Sequence, residues 1–252
     1  MSQKHRLDQI MDMIQRNGFV TTEQLVEQFR VTPQTIRRDL NELASQNKLT
    51  RHHGGAGIDS STVNTAYQER KIMNLDAKER IAKALVADIP DGSSMFINIG
   101  TTTETIARAL LAKRNLRVVT NNLHVASILS AKEDFHIIIA GGEVRNRDGG
   151  IVGEAAVDFI NQFKMDFGII GISGIHNDGS LLDFDYREVR VAQSIIANSG
   201  QVLLAADHSK FGRNAMVRLG SIDQADQVFT DAQPPREISR ILKDHSVRLH
   251  VV

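Results

Sequence analysis

From Leu75 onward the chain alternates between short apolar segments and longer amphipathic ones. The segments 94–99, 116–120 and 135–140 have the length of strands, and the stretches between them show helical periodicity. Strands that alternate with helices in this way form a parallel sheet with helices packed on both faces. We therefore predict a Rossmann-like α/β domain over residues 75–252.

The first 57 residues follow a different pattern, typical of a helical DNA-binding module. Apolar residues recur at helical spacing between Leu7 and Ile14. Thr21 precedes a second helix and is followed by Gln24, the arrangement of a capping box. Thr32 precedes Pro33, and proline is favoured at the first position of a helix. Three short helices followed by a segment with a glycine pair predict a winged helix-turn-helix over residues 1–57.

The third helix and the segment 48–56 carry side chains suited to reading DNA. Arginine suits guanine, glutamine suits adenine, and threonine contacts phosphate or the thymine methyl group. The segment 48–56 resembles a hairpin wing, which lies along the DNA backbone or in the minor groove. The predicted DNA-binding residues are Thr21, Thr22, Thr32, Gln34, Thr35, Arg37, Arg38, Asn41, Arg51, His52 and His53.

Charge gives weak support for this interpretation. The whole chain of 252 residues balances 30 basic against 30 acidic side chains, whereas residues 1–56 hold eight basic and six acidic ones. A small basic module on a near-neutral body is a weak nucleic-acid footprint, and an ordinary three-helix domain with a solvated face is the alternative. A metal site at His52 and His53 is disfavoured, because adjacent residues rarely share a metal ion.

Length and composition limit the number of domains and the cellular compartment that this chain is expected to have. A chain of 252 residues suggests two domains, and we place a connector at residues 58–74. The absence of cysteine excludes disulfides and thiol chemistry and fits a reducing compartment. No run reaches the roughly 18 apolar residues of a membrane span, and the start of the chain lacks the apolar core of an export signal. We expect a cytoplasmic protein with no membrane partner and no metal.

The predicted strands of the second domain end in polar, glycine-rich loops. Ligands of such sheets lie beyond the carboxyl ends of the strands. Gly100, Thr101 and Thr102 lead from the first strand into a helix whose N-terminus favours an anion. The other strand ends supply Thr120, Asn121, Gly141, Gly142, Arg145 and Lys210. Together these loops predict a site for a small phosphorylated ligand.

An enzyme is the main alternative. Glu154, Asp183, Asp185 and Glu188 are candidates for a general base in a sugar-phosphate isomerase or deaminase. They equally suit hydrogen bonds to ligand hydroxyls or helix caps. Residues 207–209 spell Asp-His-Ser, but consecutive side chains cannot form a hydrolase triad, whose members converge from separate segments. Turnover of triose or sugar phosphates would distinguish an enzyme from a regulator.

The runs TPQTIRRDL at 32–40 and RHHGG at 51–55 resemble the winged helix-turn-helix of the DeoR family of bacterial repressors. The second domain resembles the sensor domain of that family, which is similar in fold to ribose-phosphate isomerases, glucosamine-phosphate deaminases and coenzyme A transferases. The resemblance implies a homo-oligomeric repressor, a dimer or tetramer, that binds double-stranded operator DNA and is not an enzyme. The effector-binding residues that it implies are Gly100, Thr101, Thr102, Thr120, Asn121, Gly141, Gly142, Arg145, Glu154, Asp183 and Lys210.

Longer runs point to one branch of this family. Residues 149–160, 166–190 and 207–217 resemble members that respond to glycerol-3-phosphate. That resemblance implies glycerol-3-phosphate as effector, no cofactor, and release from operators of glycerol catabolic genes; another sugar phosphate is the alternative. One departure concerns Asn98, where the family usually has Asp, so an amide oxygen stands in place of a carboxylate.

Overall fold

The computed structural model describes residues 3–17, 19–46, 48–52, 54–57 and 64–252. The chain divides into two compact units, Met1–Leu75 and Asp76–Val252. The helices and strands of the first unit are α1 (Gln3–Asn17), β1 (Phe19–Thr21), α2 (Thr22–Phe29), α3 (Pro33–Ser45), β2 (Thr50–His52), β3 (Gly55–Gly57) and α4 (Tyr67–Ile72).

Both predicted helix caps are present in the first unit. The Thr21 hydroxyl accepts from the Gln24 amide at 3.1 Å, and the Gln24 side chain accepts from the Thr21 amide at 2.8 Å. Arg30 has φ +51° at the end of α2 and reverses the chain toward α3. The Thr32 hydroxyl then accepts from the Thr35 amide at 3.3 Å at the start of α3. Short-range side-chain chemistry thus fixes the turn between the two helices.

A three-stranded antiparallel sheet in the order β1-β3-β2 completes this unit and forms the wing. The helices and the sheet share a core that includes Ile10, Leu25, Ile36 and Leu40, all fully buried. A Cβ atom at Gly55 would lie 2.3 Å from the Val20 carbonyl oxygen, so only glycine lets the two strands approach this closely. The predicted winged helix-turn-helix is confirmed.

The segment predicted as a connector contains a helix. Residues 58–63 lie outside the described residues, whereas α4 belongs to the first unit. The Glu69 side chain on α4 accepts from Gln24 Nε2 on α2 at 3.0 Å. A six-residue helix is too short to show periodicity in a sequence.

The second unit is built on a seven-stranded sheet. The helices from Leu75 onward are α5 (Leu75–Ala87), α6 (Thr101–Leu110), α7 (Leu123–Leu129), α8 (Glu154–Ile160), α9 (Tyr186–Ala197) and α10 (Arg236–Asp244). The strands are β4 (Ser94–Ile97), β5 (Arg117–Thr120), β6 (His136–Ile139), β7 (Glu143–Arg145), β8 (Gly150–Val152), β9 (Met165–Gly171), β10 (Gly174–Ile175), β11 (Ser180–Asp183), β12 (Ser199–Ala205), β13 (Val217–Ser221), β14 (Gln227–Thr230) and β15 (Arg248–Val251).

The large sheet has the order β15-β14-β12-β9-β4-β5-β6, and every pairing in it is parallel. Two separate apolar cores cover its faces, one containing Phe96 and Ile170 and the other containing Met95 and Phe229. Burial on both faces explains the apolar runs 95–97 in β4 and 202–205 in β12. The predicted parallel α/β domain is confirmed, and every carboxyl end of the sheet meets at one edge.

Two antiparallel additions were not predicted. Strands β10, β11 and β13 form a small separate sheet, and β7 and β8 form a hairpin. The hairpin lies across the carboxyl ends of β4 and β5: the Ile151 amide donates to the Asn121 carbonyl at 2.7 Å, and a Cβ at Gly150 would lie 2.5 Å from Ile99 Cδ1. Within the described part of the chain, no helix has the length and apolar character needed to cross a membrane.

Candidate functional site

The exposed face of α3 carries most of the predicted DNA-reading side chains. Gln34, Arg37, Arg38 and Asn41 are exposed and follow helical spacing, whereas the opposite face is buried. Thr32 and Thr35, at the start of the helix, share a hydrogen bond of 2.9 Å between their hydroxyls. Residues near the start of such a helix are those that reach base edges in a major groove.

Thr21 and Thr22 lie inside the first unit. Each side chain is 6% exposed, and the Thr21 hydroxyl serves as the cap of α2. The Thr22 amide donates to the carbonyl of Gly54 in the wing at 2.8 Å. Their role in DNA binding stays a prediction, and the structure gives both residues a part in positioning α2 against the wing.

Arg51 connects the wing to the recognition helix. Its Nη1 donates to the carbonyl of Arg37 at 3.2 Å and to Asn41 Oδ1 at 3.1 Å. Burial and the nearby Arg37 guanidinium lower the pKa of Arg51. Arg51 lies in β2 beside His52, while His53 lies outside the described residues.

In the second unit, a buried lysine lies beside the start of α6. Gly100, with φ +151°, leads into the first turn, where Thr101 and Thr102 are buried. Lys78 on α5 is only 3% exposed, and its Nζ donates to Thr101 Oγ1 at 3.1 Å. A buried ammonium beside a helix N-terminus favours a bound anion. Lys78 was not predicted, because a lysine in an amphipathic helix is usually assigned to the solvated face.

Several buried polar atoms near the same edge have no hydrogen-bond partner among the described residues. They are Asn98 Oδ1 after β4, Asn121 Oδ1 and Asn122 Nδ2 after β5, and Thr230 Oγ1 at the end of β14. Leaving such an atom unpaired in a protein interior costs about 1–3 kcal/mol. Asn98 and Asn121 follow the neighbouring parallel strands β4 and β5, at the edge of the sheet where α6 begins.

Thr120 and Asn121 also hold the structure around the site. The Thr120 hydroxyl donates to the Ile97 carbonyl at 2.6 Å and accepts from the Asn122 amide at 3.1 Å. Asn121 Nδ2 donates to the Ile151 carbonyl at 3.1 Å and so fixes the hairpin. The Thr120 hydroxyl is therefore engaged within the protein, whereas Asn121 Oδ1 has no hydrogen-bond partner among the described residues.

Arg145 is surrounded by carboxylates. Its guanidinium donates to Asp148 at 2.8 Å through Nε, to Asp185 at 2.9 Å through Nη1, and to Glu188 at 2.6 Å through Nη2. Burial opposes its charge, but Glu188 and Asp148 outweigh that effect and raise the pKa of Arg145. Arg145 was predicted to bind an anionic ligand, whereas in the structure it holds three acidic side chains together.

Glu188 has an unusual environment within this cluster. Burial and the neighbouring Asp183 raise the pKa of Glu188 to about 7, against the opposing effect of Arg145. Asp183 itself accepts from Ser173 Oγ at 3.1 Å and from the Phe184 amide at 2.6 Å. Ser173 follows β9 and Asp148 lies in the hairpin over β4 and β5, so the cluster belongs to the same edge of the sheet.

The remaining predicted residues differ in their surroundings. Lys210 ends a 3-10 turn, His208–Lys210, with its Nζ 3.8 Å from Asp207 Oδ2. Gly141 and Gly142 are exposed where the hairpin begins. Glu154, with a side chain 68% exposed, forms an ion pair with Arg190 at the surface. Among the residues that the structure describes, no group of three or more acidic or histidine side chains could hold a metal ion.

Comparison with known proteins agrees with both halves of this description. The DeoR-like helix-turn-helix domain matches residues 6–62, and the DeoR C terminal sensor domain matches residues 73–232. The glycerol-3-phosphate regulon repressor of Escherichia coli K12 is 58% identical over 251 residues, which is 100% of both chains. The protein of the same name from Haemophilus influenzae is 49% identical, covering 99% of this chain and 97% of its own length.

Among solved structures, a Pyrococcus horikoshii translation initiation factor eIF-2B shares the fold, with a TM-score of 0.51 and 16% identity over 94% of this chain and 86% of its own. A helix-turn-helix unit joined to a sensor unit defines a DNA-binding transcription regulator. The chain belongs to the DeoR family.

Proposed function

We propose that this protein represses genes of glycerol and glycerol-3-phosphate use, and that glycerol-3-phosphate releases it from their operators. The single observation that carries this proposal is the 58% identity, over the full length, to the Escherichia coli glycerol-3-phosphate regulon repressor. It acts in the cytoplasm, without a cofactor, as a homo-oligomer. Several copies would present paired recognition helices to the two halves of an operator.

The proposed DNA-binding domain is residues 1–57, which lie within the first unit. Gln34, Arg37, Arg38 and Asn41 enter the major groove, because they share the exposed face of α3. Thr32 and Thr35 contact the DNA backbone, and Arg51 follows the groove beside the helix with its neighbouring histidines. Phosphate contacts from the arginines make the affinity fall steeply with salt.

The proposed sensor domain is residues 75–252, which corresponds to the second unit with Leu75 added. The effector phosphate binds at the start of α6, where Gly100, Thr101 and Thr102 lie beside Lys78, with Lys210 as a second cation. The glycerol hydroxyls satisfy Asn98 and Asn121, whose side-chain oxygens are buried and unpaired within the described structure. Gly141, Gly142 and Asp183 complete the wall of the proposed effector site, and Glu154 lies at its rim. Arg145 contributes indirectly, through the carboxylates to which it is hydrogen-bonded.

Thermal unfolding with added ligand tests the sensor assignment. The wild-type protein is expected to melt at a higher temperature in glycerol-3-phosphate, because a ligand that binds only the folded state stabilises it. Glycerol and inorganic phosphate, each supplied alone at the same concentration, are the controls. Equal shifts with inorganic phosphate and glycerol-3-phosphate would contradict the proposed hydroxyl contacts. No shift with glycerol-3-phosphate would refute this effector.

A proton-transfer enzyme acting on a sugar phosphate is the second candidate. The observation in its favour is Glu188, whose raised pKa of about 7 suits a general base. Its hydrogen bond to Arg145 favours a structural role instead. We expect no isomerisation of triose or pentose phosphates by the purified protein, and turnover that disappears in Glu188→Gln would establish the enzyme.

A further inference from the structure

Asp231 holds a turn beside the proposed effector site. It directly follows β14, and its side chain is 6% exposed. Its Oδ1 accepts from the backbone amide of His208 at 2.7 Å, and its Oδ2 lies 2.6 Å from His208 Nδ1. A carboxylate only accepts hydrogen bonds, so the imidazole donates through Nδ1. One acidic side chain thus binds the same histidine through both its backbone and its ring.

The turn that Asp231 holds also carries Lys210. Asp207, after β12, accepts from the Ser209 amide at 3.0 Å at the start of the turn, and its Oδ2 faces Lys210 Nζ at 3.8 Å. Strands β12 and β14 are neighbours in the sheet and run parallel, so their carboxyl ends lie side by side. Two carboxylates from adjacent strands therefore fix the backbone of a three-residue turn from its two sides.

Asp231 also lies close to α5, the helix that carries Lys78. Arg80 on α5 approaches the Asp231 carboxylate at 3.9 Å. The Arg80 side chain is 53% exposed, so this ion pair contributes little by itself. The hydrogen bonds to His208 are the contacts that define the geometry.

We propose that Asp231 is a positioning residue for the effector response, acting through His208 to keep the Lys210 ammonium where a ligand phosphate needs it. The inference rests on the proposed function, which assigns Lys210 to the phosphate. A charged group displaced by about 1 Å loses most of its value in a preorganised site. Asp231 itself does not touch the ligand.

Substitutions at Asp231 and His208 test this role in the full-length protein. The readout is the concentration of glycerol-3-phosphate that releases half of a bound operator. Asp231→Ala is expected to raise that concentration by roughly tenfold or more, with operator affinity in the absence of effector unchanged within about twofold. Asp231→Asn keeps an acceptor for the His208 amide and is expected to fall between the wild type and Asp231→Ala. The double variant with His208→Ala should add no further loss, because the two residues act as one unit.

Asp166→Ala is the matched control. Asp166 also accepts from a backbone amide and a side chain of one residue, Ser94, but at the start of β9, on the opposite edge of the sheet. It is expected to lower the melting temperature without changing the response to effector. An Asp231→Ala variant released at the wild-type concentration, or an Asp166→Ala variant equally desensitised, would overturn the inference.

The outcomes separate this inference from the proposed function. If the wild type responds to glycerol-3-phosphate and Lys210→Ala does not, the effector assignment holds. The Asp231 variants then test only the positioning role of Asp231. If glycerol-3-phosphate does not release the wild type from the operator, both the effector assignment and the positioning role of Asp231 are refuted. Should Asp231→Ala not fold, Asp231→Asn and His208→Ala decide the matter, since wild-type release in both would refute the role.

Discussion

Arg6 on α1 and Asp39 on α3 form a buried ion pair, in which Nε lies 2.5 Å from one carboxylate oxygen and Nη2 lies 3.1 Å from the other. The side chains are 10% and 1% exposed. Asp39 directly follows Arg38, on the face of α3 opposite the proposed DNA-reading side chains. The pair therefore fixes the rotation of the recognition helix about its own axis.

Breaking this pair from one side is expected to be costly. Arg6→Met should destabilise the first unit by about 3–5 kcal/mol, because Asp39 stays buried without its partner. The double variant Arg6→Met with Asp39→Leu should recover most of that loss, since two apolar side chains replace the two charges. Urea unfolding followed by circular dichroism measures both. A single variant as stable as the wild type would contradict the account.

Arg37→Ala separates DNA recognition from folding. Operator affinity should fall by about 1–3 kcal/mol, while the melting temperature and its shift with glycerol-3-phosphate stay as in the wild type. The wing remains docked, because Arg51 binds the backbone carbonyl of Arg37 and not its side chain. Anisotropy titrations supply the affinity. Arg240→Ala, at a side chain 84% exposed in the second unit, is the control and should bind operator normally.

The pH dependence of the free energy of unfolding should reveal the raised pKa of Glu188. Burial and Asp183 raise its pKa from the ordinary 4.5 to about 7, so the folded state retains a proton that the unfolded state has released. The folded protein binds more protons within that window, and its stability should fall as the pH rises from about 4.5 to about 7.

Glu188→Gln removes this titration and keeps an acceptor for Arg145. Its stability should therefore decline less than that of the wild type across the same window. Glu154→Gln, at an exposed carboxylate, should follow the wild type. Parallel curves for the wild type and Glu188→Gln would exclude the raised pKa.

Lys78→Met tests the cation that the structure adds to the effector site. The unbranched side chain preserves packing but removes the ammonium beside Thr101. The glycerol-3-phosphate concentration that releases half of the operator should rise by about 10-fold to 100-fold, because a charge-assisted hydrogen bond to phosphate contributes about 1.5–3 kcal/mol. Lys83→Met, on an exposed position of the same helix, should behave as the wild type. Release of Lys78→Met at the wild-type concentration would remove this lysine from the site.

Two kinds of sequence feature predicted the fold: helix-capping residues and the periodicity of apolar residues. The caps at Thr21 and Thr32 depend on residues three positions apart. The inner strands β4 and β12 contain apolar runs because both faces of the sheet are covered there. The hairpin β7–β8 and the small sheet escaped prediction because their strands, of two to five residues, do not follow the alternation of strand and helix that marks the equally short strands of the large sheet. Such short segments carry no period, and only tertiary contacts stabilise them.

The sequence predicted only part of the candidate site. Strand ends placed Gly100, Thr101 and Asn121 at one edge of the sheet, since a parallel sheet requires it. The environment of Arg145 depends on carboxylates 3, 40 and 43 positions away in the chain, and no local pattern encodes such a cluster. Lys78 and Asp231 were missed for the same reason, since their partners Thr101 and His208 each lie 23 positions away in the chain.

We propose that one molecule reads an operator with its first unit and releases it when its second unit binds glycerol-3-phosphate. Fluorescence anisotropy tests it directly, with the full-length protein at fixed salt and a DNA probe from upstream of a glycerol-3-phosphate dehydrogenase gene. We expect tight binding that glycerol-3-phosphate weakens about 5-fold to 150-fold and that inorganic phosphate leaves unchanged. Tight binding indifferent to the metabolite would contradict the effector, and folded protein without specific binding would contradict the repressor.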